Sequence, residues 1–232
     1  MPFSPETLDF LFINHMNNSR SWFREHKDEY KKYVLEPLAE LVERLTPTML
    51  EIDGALICAP RVGGSISRIY RDLRFSKDKS LYRANMWILF IRDKRLYNGL
   101  PAYYFDVSPD GLSYGCGYYT TSNDSLAAMR KLILNGDRSF KRALAAYEKQ
   151  DVFTLEGTLY KRSRFPQAGE RERSWLDRRD IGLIRNSGDF ELLFSDGLWK
   201  VLAEDFKKIV PVYEFFMKAE SSVLREQEKG RA

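Results

Sequence analysis

The stretch AYYFDVSPDGLSYGCGYY, Ala102 to Tyr119, decides the fold. Tyr103, Phe105 and Val107 alternate with Tyr104 and Asp106, and Leu112, Tyr114, Cys116 and Tyr118 recur at every second position. A period of two places such residues on one face of a strand. Between the runs stands Pro109-Asp110-Gly111. Proline presets φ and glycine accepts the left-handed region, so the spacing predicts an antiparallel hairpin.

Outward from the hairpin, Asn85 to Ile91 is an apolar run that predicts a strand covered on both faces, and Ser65 to Tyr70 is a shorter β candidate. Helical patterns stand on either side. Ser4-Pro5-Glu6-Thr7 reads as a helix start: a cap, a proline at the first helical position, and a carboxylate at the positive end of the dipole. From Ser19, residues Trp22, Phe23, Tyr30, Tyr33, Val34, Leu38, Leu41, Val42 and Leu45 form one broad apolar face. Pro37 is expected to kink or split that helix, and Pro47 to follow its end. Asn123 to Leu134 is a further helix stopped by Asn135-Gly136, and Arg138 to Lys149 another. Ser195 to Glu226 closes the chain as helix, interrupted at Pro211. The expectation is one α+β domain over 1–232, an antiparallel β-sheet core flanked by N-terminal and C-terminal helices. Its segments run helical 4–48, mainly β 55–119, helical 122–149, irregular and basic 151–190, and helical 195–226.

Composition excludes several classes. Mean hydropathy is −0.45, and no apolar run approaches the ~20 residues of a membrane span. The N-terminus lacks the basic and apolar regions of a signal peptide. Cys58 and Cys116 form no disulfide framework, so the reducing cytoplasm is the expected compartment. His15 and His26 are the two histidines, with no Cys-x-x-Cys pair, so no zinc site is expected. Nucleotide-binding glycine loops and the G-x-S-x-G elbow are missing, and the sequence names no cofactor. Gly63-Gly64-Ser65 reads as a turn. Cys116, between two glycines, reads as a buried thiol, with a nucleophile as the sharper alternative.

Net charge is +4, but it is unevenly spread. Arg61, Arg68, Arg71, Arg74, Lys77, Lys79 and Arg83 stand against Asp72 and Asp78, a local +5, leaving −1 for the rest of the chain. A second cluster, Lys161 to Arg185, carries +4. In the first, Ile69, Leu73, Phe75 and Leu81 are spaced to anchor the backbone while the cations project. Arginine forks grip carboxylate or phosphate through paired hydrogen bonds, and neighbouring aspartates can orient them. The plainer reading is a loop whose Arg–Asp pairs fasten a turn.

Arg71 to Arg83, RDLRFSKDKSLYR, resembles the signature of the uncharacterised family known as domain of unknown function 2461. NNSRSWF, Asn17 to Phe23, is similar to that family's N-terminal motif, with Lys27 and Tyr30 in register. The Tyr103 to Tyr119 hairpin and PVYEFFMKA, Pro211 to Ala219, fit as well. Leu81 stands where the pattern usually has proline, and Arg162 to Ser187 matches poorly. The resemblance brings no established reaction. It implies that Arg71, Asp72, Arg74, Phe75, Lys77, Asp78 and Lys79 form a functional surface.

Three functions remain open at this level. The first is a binding module for an anionic or phosphorylated ligand, nucleotide or nucleic acid included. Its contacts would be Arg68, Arg71, Arg74, Ser76, Lys77, Lys79 and Arg83, with Trp22, Tyr70 and Tyr82 as stacking faces. The second is an enzyme acting on a phosphate ester or anionic small molecule, with Asp72 or Asp78 as base or metal ligand. The third is a protein-interaction scaffold using part of the aromatic content.

Overall fold

Pro109-Asp110 turns the chain between strands β2 (Ala102–Ser108) and β3 (Gly111–Gly117). Gly111, with φ of 133°, takes a conformation closed to other residues, and a side chain there would also land on the carbonyl oxygen of Ser187. The computed structural model describes residues 2–72, 74, 79–93, 95 and 100–229. Phe75, Ser76, Lys77 and Asp78, named above as candidates, lie outside the described residues, as does Leu73.

The protein is α+β. Strands β1 (Met86–Phe90), β2, β3, β4 (Thr154–Glu156) and β5 (Gly182–Ser187) form a five-stranded antiparallel sheet in the order β1-β2-β3-β5-β4. Among the described residues, no helix is long and apolar enough to cross a membrane. Contacts within the chain group into two units: Met1–Phe90 with Tyr104–Tyr114 and Asn186–Glu204, and Ile91–Tyr103 with Gly115–Arg185 and Asp205–Ala232.

The first unit holds helices α1 (Pro5–Asn17), α2 (Arg20–Glu25), α3 (Lys27–Tyr30) and α4 (Glu36–Ile52), with a π-helical turn over Lys31–Leu35 between the last two. Pro37 neither splits nor ends this path. The widened turn before it absorbs the N–H that proline cannot supply, and α4 starts with the proline in its first turn. Pro47 lies inside α4 rather than beyond it. Leu38, Leu41, Val42, Leu45 and Met49 are buried along one stripe of that helix, each contributing ~1.5–3 kcal/mol relative to exposure. They share the core with Ile88, Phe90, Phe105 and Val107, while Phe3 stacks on Phe105 at 5.6 Å. β1 is not covered on both faces: Met86, Ile88 and Phe90 are buried, whereas Trp87 and Leu89 are partly exposed. A continuous apolar run cannot report that difference, because the outward tryptophan is shielded by a cation instead of a second layer.

The second unit packs α10 (Val210–Lys229) against α5 (Asn123–Leu134) and α6 (Arg138–Lys149). Ser122 and Asp137 cap the last two by accepting the N–H groups of Ser125 and Ser139. After α8 (Phe190–Leu193), helix α9 (Leu198–Lys208) ends just before Val210, where Pro211 forces a new start. The region expected to be irregular contains β4, α7 (Glu170–Leu176) and β5. Trp175 of α7 is buried against Phe140 and Tyr147, which orders a helix too short to show a period. Cys116 is fully buried, and burial pushes its thiol far above the ordinary range. It is a packing residue.

Candidate functional site

The described ends of the basic segment belong to a two-armed ribbon in the first unit. One arm, 65–71, runs antiparallel to the other, 81–89. Leu89 N–H donates to Ser65 O (2.8 Å), Arg83 N–H to Ile69 O (2.9 Å) and Arg71 N–H to Leu81 O (2.9 Å). The arms are not in step throughout. Ser67 N–H meets Trp87 O (2.9 Å), so the single residue between 67 and 69 faces three on the second arm, Ala84, Asn85 and Met86. The surplus forms a bulge, a device that re-aims side chains. Ser67 compensates by accepting the N–H of Trp87 on its hydroxyl at 3.0 Å.

Helix α1 fastens this ribbon at two points. Asn18 ends the helix in the left-handed conformation (φ 48°, ψ 36°), and its Oδ1 accepts the N–H of Leu81 at 2.5 Å. His15 Nδ1 donates to the carbonyl of Tyr82 at 3.0 Å. Ser19 then caps α2, accepting the N–H of Trp22. The Asn17–Phe23 motif is therefore a bracket: a helix stop, a pin and a new helix start within three residues. Phe23 fills the space beneath, stacked on Tyr82 (5.0 Å) and edge-on to Tyr70 (5.6 Å). Tyr82 is buried, whereas Tyr70 is 50% exposed.

The cations divide by role. Asp72 takes Arg74 through both oxygens (Nε–Oδ1 3.0 Å, Nη2–Oδ2 2.7 Å) and also accepts its backbone N–H. The Arg74 bonds hold the Asp72 carboxyl down at about 2. Such a carboxylate is committed to its arginine and is a poor proton acceptor. Arg71 Nη1 reaches Ser80 Oγ at 3.3 Å. Arg68 is exposed and has no partner among the described residues, and Lys79 is exposed. Arg83 lays its guanidinium over the Trp87 ring at 4.6 Å, with Nε buried and unbonded among the described residues. Its charge also acts on Asp72. Trp22 stacks face to face on His26 at 4.0 Å. Tyr70 offers more open ring surface.

Two residues that the sequence reading passed over stand beside this array. The bulge after Arg83 brings Asn85 to Asp106 on β2, where its amide donates to Oδ2 at 2.5 Å. Asp106 shares the outer face of β2 with Tyr104, whose hydroxyl bonds Ser113 on β3 at 3.1 Å. Burial pushes the Asp106 carboxyl up to about 6 against the opposing effect of Asn85. The signal was present in the sequence: a carboxylate alternating with aromatics inside a strand is costly and needs a reason. Among the described residues no cluster of three or more His, Cys, Asp or Glu could hold a metal.

The second basic cluster lies in the other unit, where several of its arginines brace loops. Arg178 donates to the carbonyls of Gly157 and Ser174, Arg171 pairs with Glu148, and Arg164 lies over Tyr160 at 4.0 Å. From outside the cluster, Arg130 donates to the carbonyls of Leu176 and Arg178.

These features define an α+β protein with a pinned, bulged basic ribbon at one edge of an antiparallel sheet. The chain belongs to the conserved hypothetical protein family DUF2461, whose profile matches residues 6–215. No curated protein matches it.

Proposed function

We propose that the protein binds an anionic, phosphate-bearing ligand on the basic ribbon. Arg68, Arg71, Lys79 and Arg83 meet the charge, and the exposed ring of Tyr70 offers a stacking face for a base. Single-stranded nucleic acid or a nucleotide fits this chemistry. Arg74, Ser76 and Lys77 extend the same segment. The observation that carries the reading is the double fastening of the ribbon by Asn18 and His15. A basic loop kept only for solubility has no use for pins, whereas a recognition surface gains affinity from being held in place before its ligand arrives.

Fluorescence anisotropy with a labelled oligothymidine tests it at about 50 and 200 mM salt. Expected is measurable binding that weakens with salt, with Arg68→Gln and Arg71→Gln each lowering affinity about fivefold and shallowing the salt slope by about one. Inorganic phosphate and ATP as competitors distinguish a polymer from a small ligand. Failure of all three probes to bind, or binding indifferent to both substitutions, overturns the proposal.

A further inference from the structure

A groove of about 440 Å³ opens along the turn between β2 and β3, lined by Asp106, Ser108, Asp110, Ser113, Asn186 and Ser187, with glycines 111 and 188 beside them. Its volume lies within the range of small-ligand sites. Among the described residues no lysine or arginine lines it. Asp106 is the half-buried member: Asn85 holds Oδ2, and Oδ1 has no hydrogen-bond partner among the described residues. Ser113, already bonded to the Tyr104 hydroxyl, keeps further capacity on its oxygen. Gly188 leaves space, since a side chain there would meet nothing within 4 Å.

We propose that this groove binds a neutral, hydroxyl-rich ligand, a sugar ring or comparable polyol, with Asp106 as its principal acceptor. The choice follows from the lining. Two aspartates without a lining cation repel an anion, so the groove is not a second phosphate site. An ammonium would answer the carboxylates and leave the serine hydroxyls and the Asn186 amide idle. Adjacent hydroxyls both donate and accept, which matches a wall of carboxylate, hydroxyl and amide groups. The Asn85 bond fixes Oδ2, so the carboxyl is oriented before a ligand arrives. This inference is independent of the anion site and stands if that site fails.

Saturation-transfer NMR on the full chain decides it, with D-glucose, D-ribose and myo-inositol at millimolar concentration and spermidine as the cationic comparison. Expected is transfer to at least one polyol, reduced about fivefold by Asp106→Asn and by Ser113→Ala. Asp110→Asn, at the exposed turn, supplies a third variant that leaves the sheet pairing intact and should also weaken transfer. No transfer to any polyol overturns the proposal. So does transfer to spermidine alone, or polyol transfer unchanged in all three variants.

Discussion

Asn18 shows how one side chain can serve two structures. Its positive φ stops α1, and the same backbone geometry aims its amide oxygen at Leu81. The two duties can be separated. Asn18→Gly keeps the left-handed conformation and loses the pin, whereas Asn18→Ala loses the pin and strains the backbone. The expected costs are about 1 kcal/mol for glycine and about 2 kcal/mol for alanine. Amide exchange at Leu81 should quicken in both variants, as read by hydrogen–deuterium exchange. Unchanged exchange at that amide would mean the pin holds nothing. The sequence showed Asn17 to Phe23 as a motif but not Asn18 as a pin, because the partner lies 63 residues away. Asp72 and Arg74 were legible as a pair, since they are neighbours in the chain.

At the scale of elements, local periodicity carried the reading well where an element packs by one face. The β2–β3 hairpin, α5 and α6 stand where their spacing put them. It carried less where an element depends on distant partners. β5 pairs with β4 in the register Leu155↔Leu183, and its short Gly-Leu-Ile core is surrounded by arginines that hide the pattern. The opposite edge of β5 explains Gly115 and Gly117 of β3. A side chain at Gly115 would land on the carbonyl oxygen of Leu183, so Gly115→Ala must push β5 away from β3. The expected loss is about 3 kcal/mol, measured by urea denaturation. A loss below about 0.5 kcal/mol would show that the strands can part without penalty.

For the molecule as a whole, the sequence located the concentration of positive charge; of the buried negative groups that set the pH response it marked Asp106, inside an alternating strand, but not Glu220. Asp106 and Glu220 both have carboxyls raised by burial; Glu220 accepts the Tyr118 hydroxyl at 2.7 Å. A raised carboxyl stabilises the fold fully below the unfolded value near 4, and that stability is lost as pH rises through the folded value. For Asp106 the window is about 4 to 6. Asp72, Asp93 and Asp137, held at about 2 by Arg74, Arg95 and Lys218, act on the other limb, where stability falls on acidification. Between about pH 4 and 6 the raised Asp106 carboxyl therefore governs. Unfolding free energy should decline across that interval, and Asp106→Asn should recover about 2 kcal/mol at pH 7.5 while gaining little at pH 4.5. Equal slopes in parent and variant would remove Asp106 from the account.

The widened turn over Lys31–Leu35 resets the phase of the helix that follows it. A π turn holds one residue more than regular helix, and each residue is about 100° of rotation about the axis. The apolar residues from Tyr30 to Leu45 thus belong to two stripes out of phase. One, led by Tyr30, packs on Phe23 and through it faces the rings of Tyr70 and Tyr82, while the other, led by Leu38, turns toward the sheet. A single extra residue is what lets the helical path from Lys27 to Ile52 address two neighbours in different directions.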